Sequence, residues 1–130
     1  MVSRKIPIAA IAASVSLCAV VAGCQSSNEG GGQAAADKAH GQQIFTTTCA
    51  TCHGTDGTGI KGLGKSLVAS EFVKKASDDQ LVDLLTKGRD AKDPLNSTGV
   101  AMPPKGGNPS LGEKDLHDIV VYVRTLNHPS

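Results

Sequence analysis

Two cysteines separated by two residues, with a histidine directly behind them, constrain this chain more than any other run in it: Cys49-Ala50-Thr51-Cys52-His53. C-x-x-C-H is the attachment pattern of c-type haem. The chemistry accounts for the spacing. Thiols two residues apart reach the two vinyl groups on one edge of a porphyrin and form thioethers, while the adjoining imidazole turns towards the iron. Cys49, Cys52 and His53 are therefore expected to hold one covalently attached haem c, with His53 as a metal ligand.

Other uses of a C-x-x-C pair fit less well. Zinc needs about four ligands, and beyond this pair the chain following the leader offers Cys24 and the histidines His40, His53 and His117 to complete a set. A thioredoxin-like redox disulfide expects a strand before the motif and a βαβ context, and no alternating strand-like run is present. A structural disulfide would leave the adjacent histidine without a role. Composition points the same way as the motif. One tyrosine, two phenylalanines, no tryptophan and 15 glycines in 130 residues leave a thin side-chain core. A large apolar cofactor supplies the missing interior.

The N-terminus reads as a processing segment. Arg4 and Lys5 precede an apolar run from Ile6 to Ala22, which is short for a bilayer span and ends in small residues, as an export signal does. Val21-Ala22-Gly23-Cys24 resembles the bacterial lipoprotein processing box. That resemblance implies cleavage before Cys24, lipidation of its thiol and acylation of the new amino terminus; several acyl chains anchor far more firmly than one. Residues 1–23 are thus expected to be a lipoprotein signal peptide, 24–36 a lipidated flexible tether and 37–130 one folded domain. The tether, QSSNEGGGQAAA after Cys24, would span roughly 20 Å as a coil. Removal of Arg4 and Lys5 takes the 13 basic residues to 11 against 12 acidic ones, a formal net charge of −1. Balanced charges without a clustered basic face exclude a nucleic-acid binder.

Periodicity predicts helices and no sheet. A first helix is expected from about Asp37 through Gly41, Ile44 and Phe45 into the cysteine motif. Glycine-rich 54–64 reads as a loop, and Leu67 to Lys75 as a short helical turn with Phe72 and Val73 buried. Ser77-Asp78-Asp79-Gln80 is a capping box before a stripe of Leu81, Leu84 and Leu85, stopped by Gly88. The proline- and glycine-rich stretch from Arg89 to Gly112 reads as irregular, and a loop that long lines a site. Leu116, Ile119, Val120, Val123 and Leu126 form the stripe of a last helix, capped either by Ser110 with Glu113 or by Gly112 with Asp115.

With these residues in place, the chain over about 37–127 resembles a monohaem class I cytochrome c. The resemblance implies an all-α cytochrome c fold of about three to five helices around one haem, the first helix crossing the last. Gly41 and Phe45 match the family's close-contact glycine and aromatic in the first helix, and Ile119 and Tyr122 match positions of the last. Met102, the only methionine besides Met1, stands in Gly99-Val100-Ala101-Met102-Pro103-Pro104, which resembles the family's methionine-ligand loop. The resemblance implies Met102 as second axial ligand, with His40, His117 and His128 as competitors expected at the surface. Relatives commonly carry Gly-Pro-x-Leu where this chain has Gly64-Lys65-Ser66-Leu67; a lysine carbonyl can still accept the proximal histidine's Nδ1 proton, without proline's restraint. Arg89 and Lys92 are the candidates to replace a missing tryptophan beside the propionates.

A His53/Met102 site leaves no position for substrate, so the expected function is single-electron transfer without enzymatic activity, by a membrane-tethered monohaem cytochrome on the periplasmic or other extracytoplasmic side. Its partners are a redox protein donor, a redox protein acceptor and the lipid membrane. The alternative is a fixed haem subunit of a larger membrane oxidoreductase complex. A gas or redox sensor would need a displaceable Met102.

Overall fold

The computed structural model describes residues 29–127. The leader, the expected lipidation site Cys24 and the competitor His128 lie outside the described residues. Within them the chain is all-α, and β pairing is confined to two isolated bridges, Ile60 with Gly64 and Arg89 with Met102. No described helix is long and apolar enough to cross a membrane.

Helix α1 (Glu29–Ile44) runs through a π-helical turn (Phe45–Cys49) into the one-turn α2 (Ala50–His53), so one rod delivers the cysteine motif. The wide turn is closed by the Ala50 N–H donating to the Phe45 carbonyl; single π turns of this kind mark functional sites. α1 begins eight residues earlier than Asp37, so residues 29–36, assigned by composition to a coil tether, are helical. Extension of a helix already anchored by packing costs little, Ala34–Ala36 are strong helix formers, and the Gln33 side chain donates to Asp37 Oδ1 at 2.8 Å.

Helix α5 (Glu113–Asn127) starts where the Gly112 N–H donates to Asp115 Oδ2 at 2.8 Å, which selects that cap over the Ser110–Glu113 one. Its stripe is buried as the spacing predicts: Leu116, Ile119, Val120 and Val123 lie inside, and Leu126 packs on the core from its edge. α1 crosses α5 at Gly41, where a Cβ would overlap the Asp118 carbonyl, so the absent side chain lets the two backbones meet. One turn on, fully buried Phe45 meets Tyr122 with ring centroids 5.2 Å apart and planes inclined at 58°, a tilted packing that aromatic pairs favour.

A charged cluster locks the same crossing. Asp118 is 2% exposed and accepts from Lys114 Nζ at 2.9 and 2.8 Å and from His40 Nδ1 at 2.6 Å. Lys114 also donates to Asp37 Oδ1 at 2.8 Å. Those hydrogen bonds, to Asp118 first and then to Asp37, push the Lys114 amine up to about 12, and the Lys114 hydrogen bond in turn draws Asp37 below the usual carboxylate range. His40 is exposed, as expected of a surface group, and in addition donates across the helices to a buried carboxylate.

Two shorter helices complete the shell. α3 (Glu71–Lys75) is capped by the Ser70 side chain, and α4 (Asp78–Lys87) by the reciprocal Ser77–Gln80 box read from the sequence. Arg124 of α5 donates to the carbonyls of Val73 and Ala76 and, through Nε, to Asp78 Oδ1 at 2.9 Å, tying both helices down. Val73 is buried as expected, but Phe72 is 37% exposed and borders the cavity described next.

Candidate haem site

The helices and loops line one open cavity; the space free of protein atoms there, adjoining solvent included, is about 1230 Å³. Its deep walls are Phe45, Val73, Leu81, Ile119, Val120 and Val123, the same side chains that form the core. The interior that the composition lacks is thus replaced by an apolar chamber.

Cys49, Cys52 and His53 line one wall, placed there by the rod that α5 clamps at Gly41. Both cysteines are half-buried and neither is in a disulfide. Burial, and then the neighbouring Cys52, push the Cys49 thiol up to about 11. His53 Nδ1 lies 2.8 Å from the Lys65 carbonyl oxygen. Because a carbonyl only accepts, Nδ1 holds the proton and Nε2 keeps its lone pair for a metal. Lysine therefore provides the backbone acceptor that the sequence expectation assigned to Lys65.

Met102 lines the same cavity. Residues 89–102 form a closed loop whose ends pair in both directions, Arg89 N–H to Met102 O and Met102 N–H to Arg89 O, each at 2.8 Å. Gly88, at φ 72°, stops α4 and takes a backbone conformation that side chains rarely adopt; a Cβ there would overlap the Met102 carbonyl. All four sequence-predicted haem-site residues, Cys49, Cys52, His53 and Met102, therefore border one cavity. Neither His40 nor His117 lines it. Among the described residues no three His, Cys, Asp or Glu side chains converge as a metal site would require, so the zinc reading has no ligand set there.

Arg89 also lines the cavity. Its guanidinium lies 4.9 Å above the Phe72 ring, its side chain is 15% exposed, and Asp93 Oδ2 is 3.9 Å from Nε. Lys92, the other basic candidate, is exposed and is not part of the wall. Asn96 and Thr98 were not singled out by sequence reasoning, yet both border the chamber. The available signal was the three-residue rhythm of Asp90, Asp93 and Asn96, each of which turns the chain by accepting from the N–H two residues on.

The residues fit one haem c. An apolar chamber would take the ring, the two half-buried cysteines would bond its vinyl edge, and an imidazole whose Nδ1 is engaged by the Lys65 carbonyl oxygen leaves Nε2 for the iron. Fold and site define a c-type cytochrome, with a single haem c attached covalently through Cys49 and Cys52. The chain belongs to the family described as cytochrome c oxidase, cbb3-type, subunit III, whose model matches residues 36–123.

Among curated proteins it is 34% identical over 87 residues to the cbb3-type cytochrome c oxidase subunit FixP of Azorhizobium caulinodans, covering 66% of this chain and 26% of that one. It is 27% identical over 87 residues to the subunit CcoP of Rubrivivax gelatinosus, covering 67% and 25%. Cytochrome c-555 of Prosthecochloris aestuarii is 28% identical over 89 residues, covering 67% of this chain and 85% of that protein. The chain thus spans about a quarter of the length of the two oxidase subunits and most of the small cytochrome. Among solved structures, the c-type cytochrome XoxG from Methylobacterium extorquens AM1 aligns with a TM-score of 0.53 at 24% identity, over 70% of this chain and 50% of that one, a likeness of fold. The relatives agree with the site in making the chain a haem-carrying c-type cytochrome.

Proposed function

We propose that this chain is a monohaem electron relay serving a larger membrane oxidase complex, with His53 and Met102 as axial ligands. The observation that carries this reading is the family match across the haem domain to subunit III of a cbb3-type oxidase. It favours the fixed-subunit alternative over the stand-alone membrane-tethered cytochrome expected first from the sequence.

When bound, the haem supplies a one-electron ferric/ferrous couple, whose potential a methionine ligand raises relative to a second histidine. The chain's own residues set the conditions for that couple. Lys65 holds the His53 ring in one tautomer through its carbonyl. Phe45, Ile119 and Val120 keep water from the inner face, and the Arg89–Met102 pairing holds the methionine loop closed. With both axial positions filled by side chains, no site remains for substrate, in keeping with electron carriage without catalysis.

The lipoprotein reading belongs to the same proposal: Cys24 is the lipidation site and holds the domain on the periplasmic or other extracytoplasmic face of a bacterial membrane. Solubilisation of host membranes in mild detergent, native electrophoresis and staining for haem and oxidase activity test the association. The expected result is co-migration of the chain with oxidase activity in wild type, and loss of fatty-acid incorporation in Cys24→Ala. Migration of the wild-type chain alone, with rapid electron exchange to a soluble redox protein, would favour the mobile carrier.

A further inference from the structure

The methionine loop has an internal fastener. Asn96 sits at the centre of residues 89–102 and uses its whole side-chain amide. Nδ2 donates to the Asp90 carbonyl at 2.9 Å and to the Val100 carbonyl at 2.8 Å. Oδ1 accepts from the Thr98 N–H at 3.0 Å, the Thr98 hydroxyl at 3.0 Å and the Gly99 N–H at 3.1 Å. One side chain thereby joins the outgoing strand of the loop, one residue after Arg89, to the returning strand, two residues before Met102. The Arg89–Met102 pairing closes the base of the loop, and Asn96 closes its middle.

The other bonds in this segment are short-range turns at Asp90 and Asp93, which do not join its two ends. Leu95 and Val100 are exposed, and no side chain of α1 or α5 hydrogen-bonds to residues 90–101 among the described contacts. The loop carries no helix or sheet, so its shape rests on local hydrogen bonds and on its contact with the cavity.

We infer that Asn96 is the positioning residue for Met102: by joining the Asp90 and Val100 carbonyls it holds the thioether at the cavity wall and resists its displacement from iron. This rests on the proposed Met102 ligation. Asparagine is suited to the task because two donors and one acceptor are needed at once in a planar group. Aspartate keeps the acceptor for Thr98 and Gly99 but loses both donors, which separates fastening of the two strands from formation of the local turn.

The test uses the holo protein, with covalent haem in every variant. Cyanide, which binds ferric iron only when the sixth position opens, is the probe, and the methionine-to-iron absorption band at the red end of the ferric spectrum is the second readout. Asn96→Asp and Asn96→Ala are expected to bind cyanide roughly tenfold faster or more, the consequence of losing two strand-joining hydrogen bonds. The band should weaken at the same time, while the far-UV spectrum of the helices stays that of wild type. Thr98→Val, which removes only the hydroxyl contacts, should give a smaller acceleration and keeps the test open should Asn96→Ala fail to accumulate. Cyanide binding at the wild-type rate with an undiminished band in Asn96→Asp would overturn the inference. Met102→Ala distinguishes the two levels: if it too leaves band and cyanide rate unchanged, the Met102 ligation has failed and the inference falls with it. If Met102→Ala abolishes the band while Asn96→Asp changes nothing, only the role of Asn96 is wrong.

Discussion

Gly41→Ala turns the α1–α5 crossing into a sign test. At an unconstrained helix interior, alanine is more favourable than glycine by about 1 kcal/mol. At Gly41 the added methyl would meet the carbonyl oxygen and carbon of Asp118 and the nitrogen of Ile119, all backbone atoms of α5. A flexible side chain could swing aside, whereas here the helices themselves must separate, loosening the Phe45–Tyr122 packing one turn away. Overpacking of a dense interior costs typically 1–3 kcal/mol, and backbone obstacles put this case at the upper end. The net expectation is a loss of about 2 kcal/mol after the propensity gain is subtracted. For a domain of this size that lowers Tm by roughly 10 °C. Guanidinium titration of the holo protein by far-UV circular dichroism, with an unchanged m-value, measures it. A variant as stable as wild type, or more stable by the propensity term, would refute a close backbone contact at this position.

Two further substitutions probe other joints. Arg124→Ala removes the donor shared by the Val73 and Ala76 carbonyls and by Asp78, and should destabilise the fold by about 2–3 kcal/mol in the same titration, as loss of charged hydrogen bonds does. Lys114→Met addresses pH. Asp37 is held below its ordinary 3.8, so its contribution is present above that pH and is lost as pH falls through the lower folded value. Lys114 is raised from 10.5 to about 12, so its contribution is complete below 10.5 and disappears as pH rises through about 12. Tm against pH should therefore be flatter at both extremes in Lys114→Met than in wild type.

Local signals in the sequence proved most informative where one segment contains its own partner. The Ser77–Gln80 box, the Gly88 stop and the α5 stripe are each closed within a few residues, and periodicity or capping chemistry is enough to read them. The haem motif is equally local, and it brought Cys49, Cys52 and His53 to one wall. What escaped was set by distant partners. Asp118 looks like a solvent-facing position between Leu116 and Ile119; its burial follows from His40, 78 positions earlier, and from the missing side chain of Gly41. Phe72 reads as core, yet it is partly exposed, with the Arg89 guanidinium over its ring. The start of α1 was hidden by glycines at 30–32, whose poor propensity is overridden once the rest of the rod is clamped on α5. Asn96 escaped because its loop reads only as irregular until the turns are closed.

Potentiometric titration of the purified holo protein beside Met102→His tests the central claim most directly. If Met102 is the second axial ligand of a haem held by Cys49, Cys52 and His53, wild type will show a midpoint well above that of the variant, because histidine in place of a thioether lowers the potential. The haem should stay covalently attached in both, and the red ferric band should be present only in wild type. Equal midpoints, with neither protein showing the band, would contradict His53/Met102 ligation and with it the electron-relay account.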